Sequence, residues 1–145
     1  MSKDSRFDRT SYPIIGACLA VHRCLGPGLL EFAYEQCLAH ELGRRGLPFE
    51  RQVAVDLEFR GMRVERACVA DFIVARSVVV ELKAVSGITE VHRAQLRTYL
   101  KLLRLEVGLL VNFNVVALRA DGLRRITYRP PTIAAPNRSP DRPRR

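Results

Sequence analysis

Tryptophan is absent from this 145-residue chain, and lysine is nearly so: the 24 basic residues are 21 arginines and 3 lysines. Also missing, although 48% of the residues are hydrophobic, is an unbroken apolar run of the roughly 18 to 20 residues that a membrane-spanning helix needs. The N-terminal MSKDSRFDRT is polar and mixed in charge, without the apolar segment of a secretory signal. A cytoplasmic protein with no membrane partner is therefore expected. Four cysteines (Cys18, Cys24, Cys37, Cys68) form no C-x-x-C pair, and His22, His40 and His92 offer no paired spacing. That scatter excludes a zinc site built on short ligand spacings and predicts buried, reduced thiols rather than disulfides.

What is present is positive charge, a net +9. Residues 129–145 hold five Arg against one Asp, so they carry four of those charges and leave five on the rest. A basic chain suits a polyanion such as nucleic acid, and suits solubility equally. The same tail contains five of the eight prolines and no glycine. It has too little apolar surface to offset its ordering entropy and is expected to be disordered. Residues 1–9 are expected to be a flexible N-terminus, leaving one domain over residues 10–128.

Within that domain Thr10 and Ser11 ahead of Pro13 predict a helix start, with Ile14, Ala17, Cys18, Val21 and Leu25 on one face and Gly26-Pro27 as its stop. The glycines and proline there read as a helix connection, because no phosphate-loop spacing follows. A second helix is expected after Gly28, with Leu30, Tyr34, Cys37, Leu38 and Leu42 inward. Val53, Val55, Leu57 and Phe59 alternate with polar neighbours and predict a half-buried strand. Arg60-Gly61 turns it into a second strand through CVADFIVA, and a turn near Arg76-Ser77 leads to a third, VVVELKAV. Ser86, Gly87 and Thr89 open a helix over about 90–103. VGLLVNF then reads as a strand buried on both faces, and Asp121-Gly122 turns into a short last strand. The class is α/β, with a mixed central sheet flanked by helices: an antiparallel three-strand meander plus a fourth strand parallel to the third.

Most charges can be solvated, but Asp71, Glu81 and Lys83 sit in apolar strands. Glu81 and Lys83 share one face because side chains alternate. A hairpin turning near Arg76 sets Asp71 opposite or diagonal to Glu81, within about 4.5 to 8 Å at Cβ. Carboxylates that close repel unless a proton or cation lies between them. A hard divalent ion such as Mg²⁺ would balance two acids and one ammonium, and the trio has the parts for metal-assisted phosphodiester hydrolysis. A cross-strand salt bridge from Lys83 to either acid fits these residues as well. Arg93 and Arg97, one turn apart, suit a phosphate backbone or a solvated helix face. His92 reads as a surface or capping residue.

Asp71 followed by Glu81-Leu82-Lys83 at the end of an apolar strand resembles the signature of the PD-(D/E)XK nuclease superfamily. Gln95-Leu96-Arg97-Thr98-Tyr99 is similar to the Q-x-x-x-Y motif of its RecB-like members. Gly28-Leu29-Leu30-Glu31-Phe32-Ala33-Tyr34 resembles the G-x-x-E-x-x-Y motif of a bacterial family grouped with it. The resemblance covers about residues 12–128, and Ala70 stands where the signature's name has proline. It implies a restriction-endonuclease-like fold and a Mg²⁺- or Mn²⁺-dependent nuclease or endonuclease acting on DNA or RNA. A catalytically silent nucleic-acid- or partner-binding domain is the alternative, and a homodimer is compatible with either. Carried over by position, Asp71, Glu81, the Leu82 carbonyl and Glu31 would ligate the metal, and Lys83 would orient or activate water. Gln95 would steady Lys83 or that water, and Tyr99 and Tyr34 would support the site. Both tyrosines also have a core reading.

Overall fold

The alternating segments around Arg60-Gly61 make a long antiparallel hairpin, β1 (Phe49–Phe59) and β2 (Met62–Val74), registered from Phe49↔Val74 to Phe59↔Met62 with a bulge between Val55 and Leu57. These come from a computed structural model that describes residues 5–131, with side chains from residue 9 on. Before the hairpin lie α1 (Ser5–Leu25) and α2 (Glu31–Arg44); after it come β3 (Val78–Lys83), α3 (Glu90–Leu103), β4 (Val107–Asn112) and β5 (Leu123–Thr127). The sheet runs β1-β2-β3-β4-β5. Only β3 and β4 are parallel, as the α3 crossover requires, and the other neighbours are antiparallel.

Both faces of the sheet are covered, which is why β3 and β4 read as continuous apolar runs. Ile14, Ala17, Cys18, Leu38 and Leu42 of α1 and α2 pack with Phe72, Val80, Leu82 and Leu109 on one face. Leu96, Tyr99 and Leu100 of α3 pack with Ala70, Val79 and Leu110 on the other. Each fully buried leucine or isoleucine contributes about 1.5–3 kcal/mol of transfer free energy. Gly108 lets α3 approach β4 closely, since a Cβ there would lie 2.9 Å from the Leu96 side chain. Thr89 caps α3: its side chain accepts from the His92 N–H at 3.2 Å, and the His92 ring accepts from the Thr89 N–H at 3.0 Å.

Several expectations need correcting. Pro13 lies inside α1, which begins at Ser5, not at its first turn. Losing the one N–H that would meet the carbonyl of residue 9 does not outweigh burial of Ile14, Ala17, Cys18 and Val21 on the following turns. Leu30 precedes α2 as its N-cap and is 80% exposed. Phe59 is exposed at the hairpin tip, because the bulge and the turn carry it away from both helical layers. Cys24 is exposed, while Cys18 is buried and Cys37 and Cys68 are half-buried, all as free thiols. No described helix is long and apolar enough to cross a membrane. Most of the Pro/Arg-rich tail, from residue 132, and residues 1–4 lie outside the described residues.

Candidate metal centre

The β2–β3 ladder is short. Pairing runs from Val74↔Val78 to Phe72↔Val80 and stops. One step further, where Asp71 faces Glu81, side chains replace the backbone rungs. The Asp71 N–H donates to Glu81 Oε1 at 2.8 Å, and the Leu82 N–H donates to Asp71 Oδ2 at 2.9 Å. The strands separate there because each carboxylate needs an amide donor once it is taken out of water. The turn-counting register of the two acids is thus the observed one.

Strand alternation also breaks at this level. On β2, Ala70 packs on the α3 side and Phe72 on the α1/α2 side, although residues two apart in a strand ordinarily share a face. β1 does the same across Gln52: Phe49 and Arg51 meet the Phe72 ring, while Val53 packs on the α3 side. β3 keeps strict alternation, with Val78, Val80 and Leu82 on one side and Val79 on the other. Asp71 therefore sits in a notch between the two helical layers, open to groups from both.

From the α2 layer come Glu31 and Glu35, one turn apart. Burial, then the negative charge of Asp71, raises the Glu31 carboxyl above its usual range, with Lys83 opposing. From the α3 layer comes Gln95, whose Oε1 accepts from Lys83 Nζ at 3.1 Å. Tyr99, one turn further along α3, lies next to the same amide side chain. Glu81 is 4% exposed, and burial followed by the Asp71 charge pushes its carboxyl up to about 8. Asp71 is raised as well, chiefly by burial, against the Leu82 N–H that favours its ionised form. Tyr99 is pushed up to about 12 by burial and by the nearby acids.

The structure thus brings Glu31, Asp71, Glu81, Lys83, Gln95 and Tyr99 into mutual influence. Tyr34 does not join them. It is fully buried, stacks on Phe113 at 4.6 Å, donates to the Gly26 carbonyl at 2.6 Å and accepts from the Leu29 N–H at 3.2 Å. Its effect is to pin the loop that delivers Glu31. His92 is spent on the α3 cap. Arg93 pairs loosely with Glu90 at 3.7 Å, and Arg97 is exposed one turn on.

Three polar groups escaped the sequence reading. Glu35 Oε1 accepts from Arg51 at 3.2 Å and from Gln52 at 2.9 Å, and Gln52 also donates to Asp71 Oδ1 at 3.3 Å. Asn112 is 1% exposed and clamps the loop after Lys83, accepting from the Val85 N–H at 3.1 Å and donating to the Val85 carbonyl at 3.0 Å. Glu35 was detectable as an acid four residues after Glu31. Asn112 was detectable as the one amide in an apolar strand.

The donor set suits a hard cation. Asp71 and Glu81 offer oxygens that each keep a second lone pair after their amide bonds, and their charges are incompletely balanced by Lys83. Among the described residues no three His, Cys, Asp or Glu side chains form a ready-made ion cage. Mg²⁺ asks for less, since it keeps several waters and takes one or two carboxylates.

A mixed sheet flanked by helices, with two acids across an opened rung and a lysine two positions after the second, is the nuclease-type, restriction-endonuclease-like α/β arrangement. The chain belongs to the PD-(D/E)XK nuclease superfamily, whose family profile matches residues 8–126. Comparison with curated proteins gave no match, and neither did comparison with solved structures.

Proposed function

We propose that this protein is a divalent-metal-dependent nuclease that hydrolyses phosphodiester bonds of DNA or RNA, and that within the superfamily it belongs with the G-x-x-E-x-x-Y, Q-x-x-x-Y group. The observation that carries this is the Asp71–Glu81 pair, held by reciprocal amide bonds across an opened rung with Lys83 turned to Gln95. Two acids so placed favour a cation, and superfamily membership makes nucleic acid the substrate class.

Asp71, Glu81 and the Leu82 carbonyl would hold Mg²⁺ or Mn²⁺, with Glu31 completing the set from α2. The cation supplies Lewis-acid activation of water and neutralises phosphate charge. Lys83 would donate to the attacking water and to the phosphate oxygen that gains charge, and Gln95 would hold the ammonium at that point. Tyr99 packs behind Gln95 and restricts its rotamers. Arg93 and Arg97, on the exposed side of the same helix, would contact the phosphate backbone.

The test is cleavage of supercoiled plasmid, single-stranded DNA and RNA with Mg²⁺ or Mn²⁺ and with EDTA, by wild type, Asp71→Asn and Lys83→Ala. Metal-dependent cleavage lost in both variants is expected. Folded wild type that cuts none of these and binds neither ion would sink the reading. A second reading, a catalytically silent nucleic-acid-binding domain, is favoured by one observation, that no ion cage is preformed among the described residues. It predicts salt-dependent binding that is indifferent to both metal and Lys83.

A further inference from the structure

Neighbouring residues in an extended strand point to opposite faces. Arg51 and Gln52 are neighbours in β1, yet both donate to the same oxygen, Glu35 Oε1, at 3.2 and 2.9 Å. The cause is Gln52's backbone, which has φ of 49°, in the left-handed region, inside a strand. Register across it is unbroken: Arg51 still faces Phe72 and Val53 still faces Ala70, so Gln52 lies level with Asp71. A non-glycine residue there is strained and persists only where its surroundings over-determine it. What it yields is specific. The rotated amide donates to Glu35 and, at 3.3 Å, to Asp71 Oδ1, while the Leu82 N–H takes Oδ2.

We propose that Gln52 is a positioning residue: its left-handed backbone swings one amide between Glu35 of α2 and Asp71 of β2, fixing the Asp71 carboxylate in the notch. Without that amide, Asp71 keeps the Leu82 donor at one oxygen and loses its donor at the other, so the carboxyl plane is free to rotate about Cβ–Cγ. Glu35, anchored through Arg51, ties this orientation to the start of α2 and hence to Glu31. Orienting partners of this kind typically change metal affinity 10- to 100-fold when removed. The role rests on the nuclease reading, because it is orientation towards a cation that is being fixed.

The experiment uses the full chain. Gln52→Gly keeps the left-handed backbone without its cost and deletes the amide. Gln52→Asn tolerates the same backbone with an amide too short to span both carboxylates. Mn²⁺ affinity by titration calorimetry, melting temperature, and kcat and KM on nucleic acid are read for each. The expected result is a roughly tenfold weaker Mn²⁺ Kd and a matching fall in kcat at unchanged KM, while Gln52→Gly melts no lower than wild type. A purely structural role predicts the reverse split, a lower melting temperature at unchanged Mn²⁺ affinity, and that result overturns the proposal. In metal-free wild type, the Gln52 side-chain amide resonances should shift in Asp71→Ala and in Glu35→Ala; resonances indifferent to both would disprove the bridge. Wild type that binds no Mn²⁺ overturns the nuclease reading and the positioning role together, while the amide resonances still decide the bridge by themselves.

Discussion

Lys83 donates to Gln95 and not to the acids beside it: its Nζ lies 3.1 Å from Gln95 Oε1, and among the described residues it makes no direct ion pair. A salt bridge was the competing explanation for a lysine on this strand. In its place, Asp71 and Glu81 are satisfied by backbone amides, and Lys83 offsets their charge only in part. A surface ion pair would be worth about 0–1 kcal/mol; a lysine held off its acids leaves an ammonium available for other work.

Removing that ammonium should separate catalysis from binding. Lys83→Ala is expected to lower kcat by about 10²–10⁴-fold and to leave Mn²⁺ affinity within a few-fold of wild type. Gln95→Ala should have a smaller effect in the same direction. Single-turnover cleavage with a parallel metal titration checks both, and loss of metal binding in Lys83→Ala would count against this division of roles.

The buried acids should make the metal-free protein sensitive to alkali. The Glu81 carboxyl rises from 4.5 to about 8, first by burial and then by the Asp71 charge, so folding favours its protonated form. Below pH 4.5 the folded and unfolded states are both protonated and this group is neutral to stability. Between there and pH 8 the unfolded chain gives up the proton first, and stability falls as pH rises. Relative to wild type, Glu81→Gln should therefore gain in melting temperature from pH 5 to pH 8, by several degrees. Parallel melting curves for the two proteins in EDTA would contradict this.

Gly122 should tolerate no side chain. A Cβ there would collide with the Asn112 carbonyl oxygen and lie 2.7 Å from the Leu118 side chain. Since Asn112 also clamps the loop after Lys83, Gly122→Ala should cost about 1–3 kcal/mol and reduce cleavage as well. Urea denaturation measures the first, and an unchanged midpoint would show that the loop yields.

Salt dependence should expose the phosphate contacts. Arg93→Ala and Arg97→Ala are each expected to reduce the slope of log affinity against log salt by about one. Deleting residues 129–145 should weaken binding at low salt most. Fluorescence anisotropy on a labelled duplex with Ca²⁺ would measure all three, and slopes equal to wild type would remove these groups from the interface.

The parts of this structure governed by local rules were readable from the residues. Thr89 caps α3, and the helix runs over Glu90–Leu103 as its opening residues indicated. Counting from the turn at Arg76 put Asp71 opposite or diagonal to Glu81, and the observed register continues to the first of these. Gln52 was unreadable for the opposite reason. A glutamine in an alternating strand reads as a solvent-facing residue, and its left-handed backbone follows from Glu35 and Asp71, which lie far off in the chain. Pro13 misled because it read as a helix start, whereas burial of the turns after it lets the helix run on through the proline. Tyr34 and Tyr99 both fitted motifs and both are buried, so their neighbours sort them: the Tyr34 hydroxyl pins the Gly26–Leu29 loop, while Tyr99 lies beside Gln95 and the acids.

Opening the sheet at Asp71 has a cost in solubility as well as in pairing. Beyond that rung, among the described residues, residues 62–70 of β2 pair with β1 alone, which leaves an unpaired strand margin inside the sheet. Such margins recruit strands from other molecules. Here the margin is spoiled as a template: Arg66 has φ of 52°, and its N–H is turned onto Asp56 Oδ1 at 2.9 Å, at the bulge. Arg63 adds a charge clamped to the same aspartate. A chain that keeps Asp71 and Glu81 but straightens this bulge should therefore assemble edge to edge more readily at high concentration, because the irregularities of the distal hairpin guard a margin that a regular ribbon would leave open.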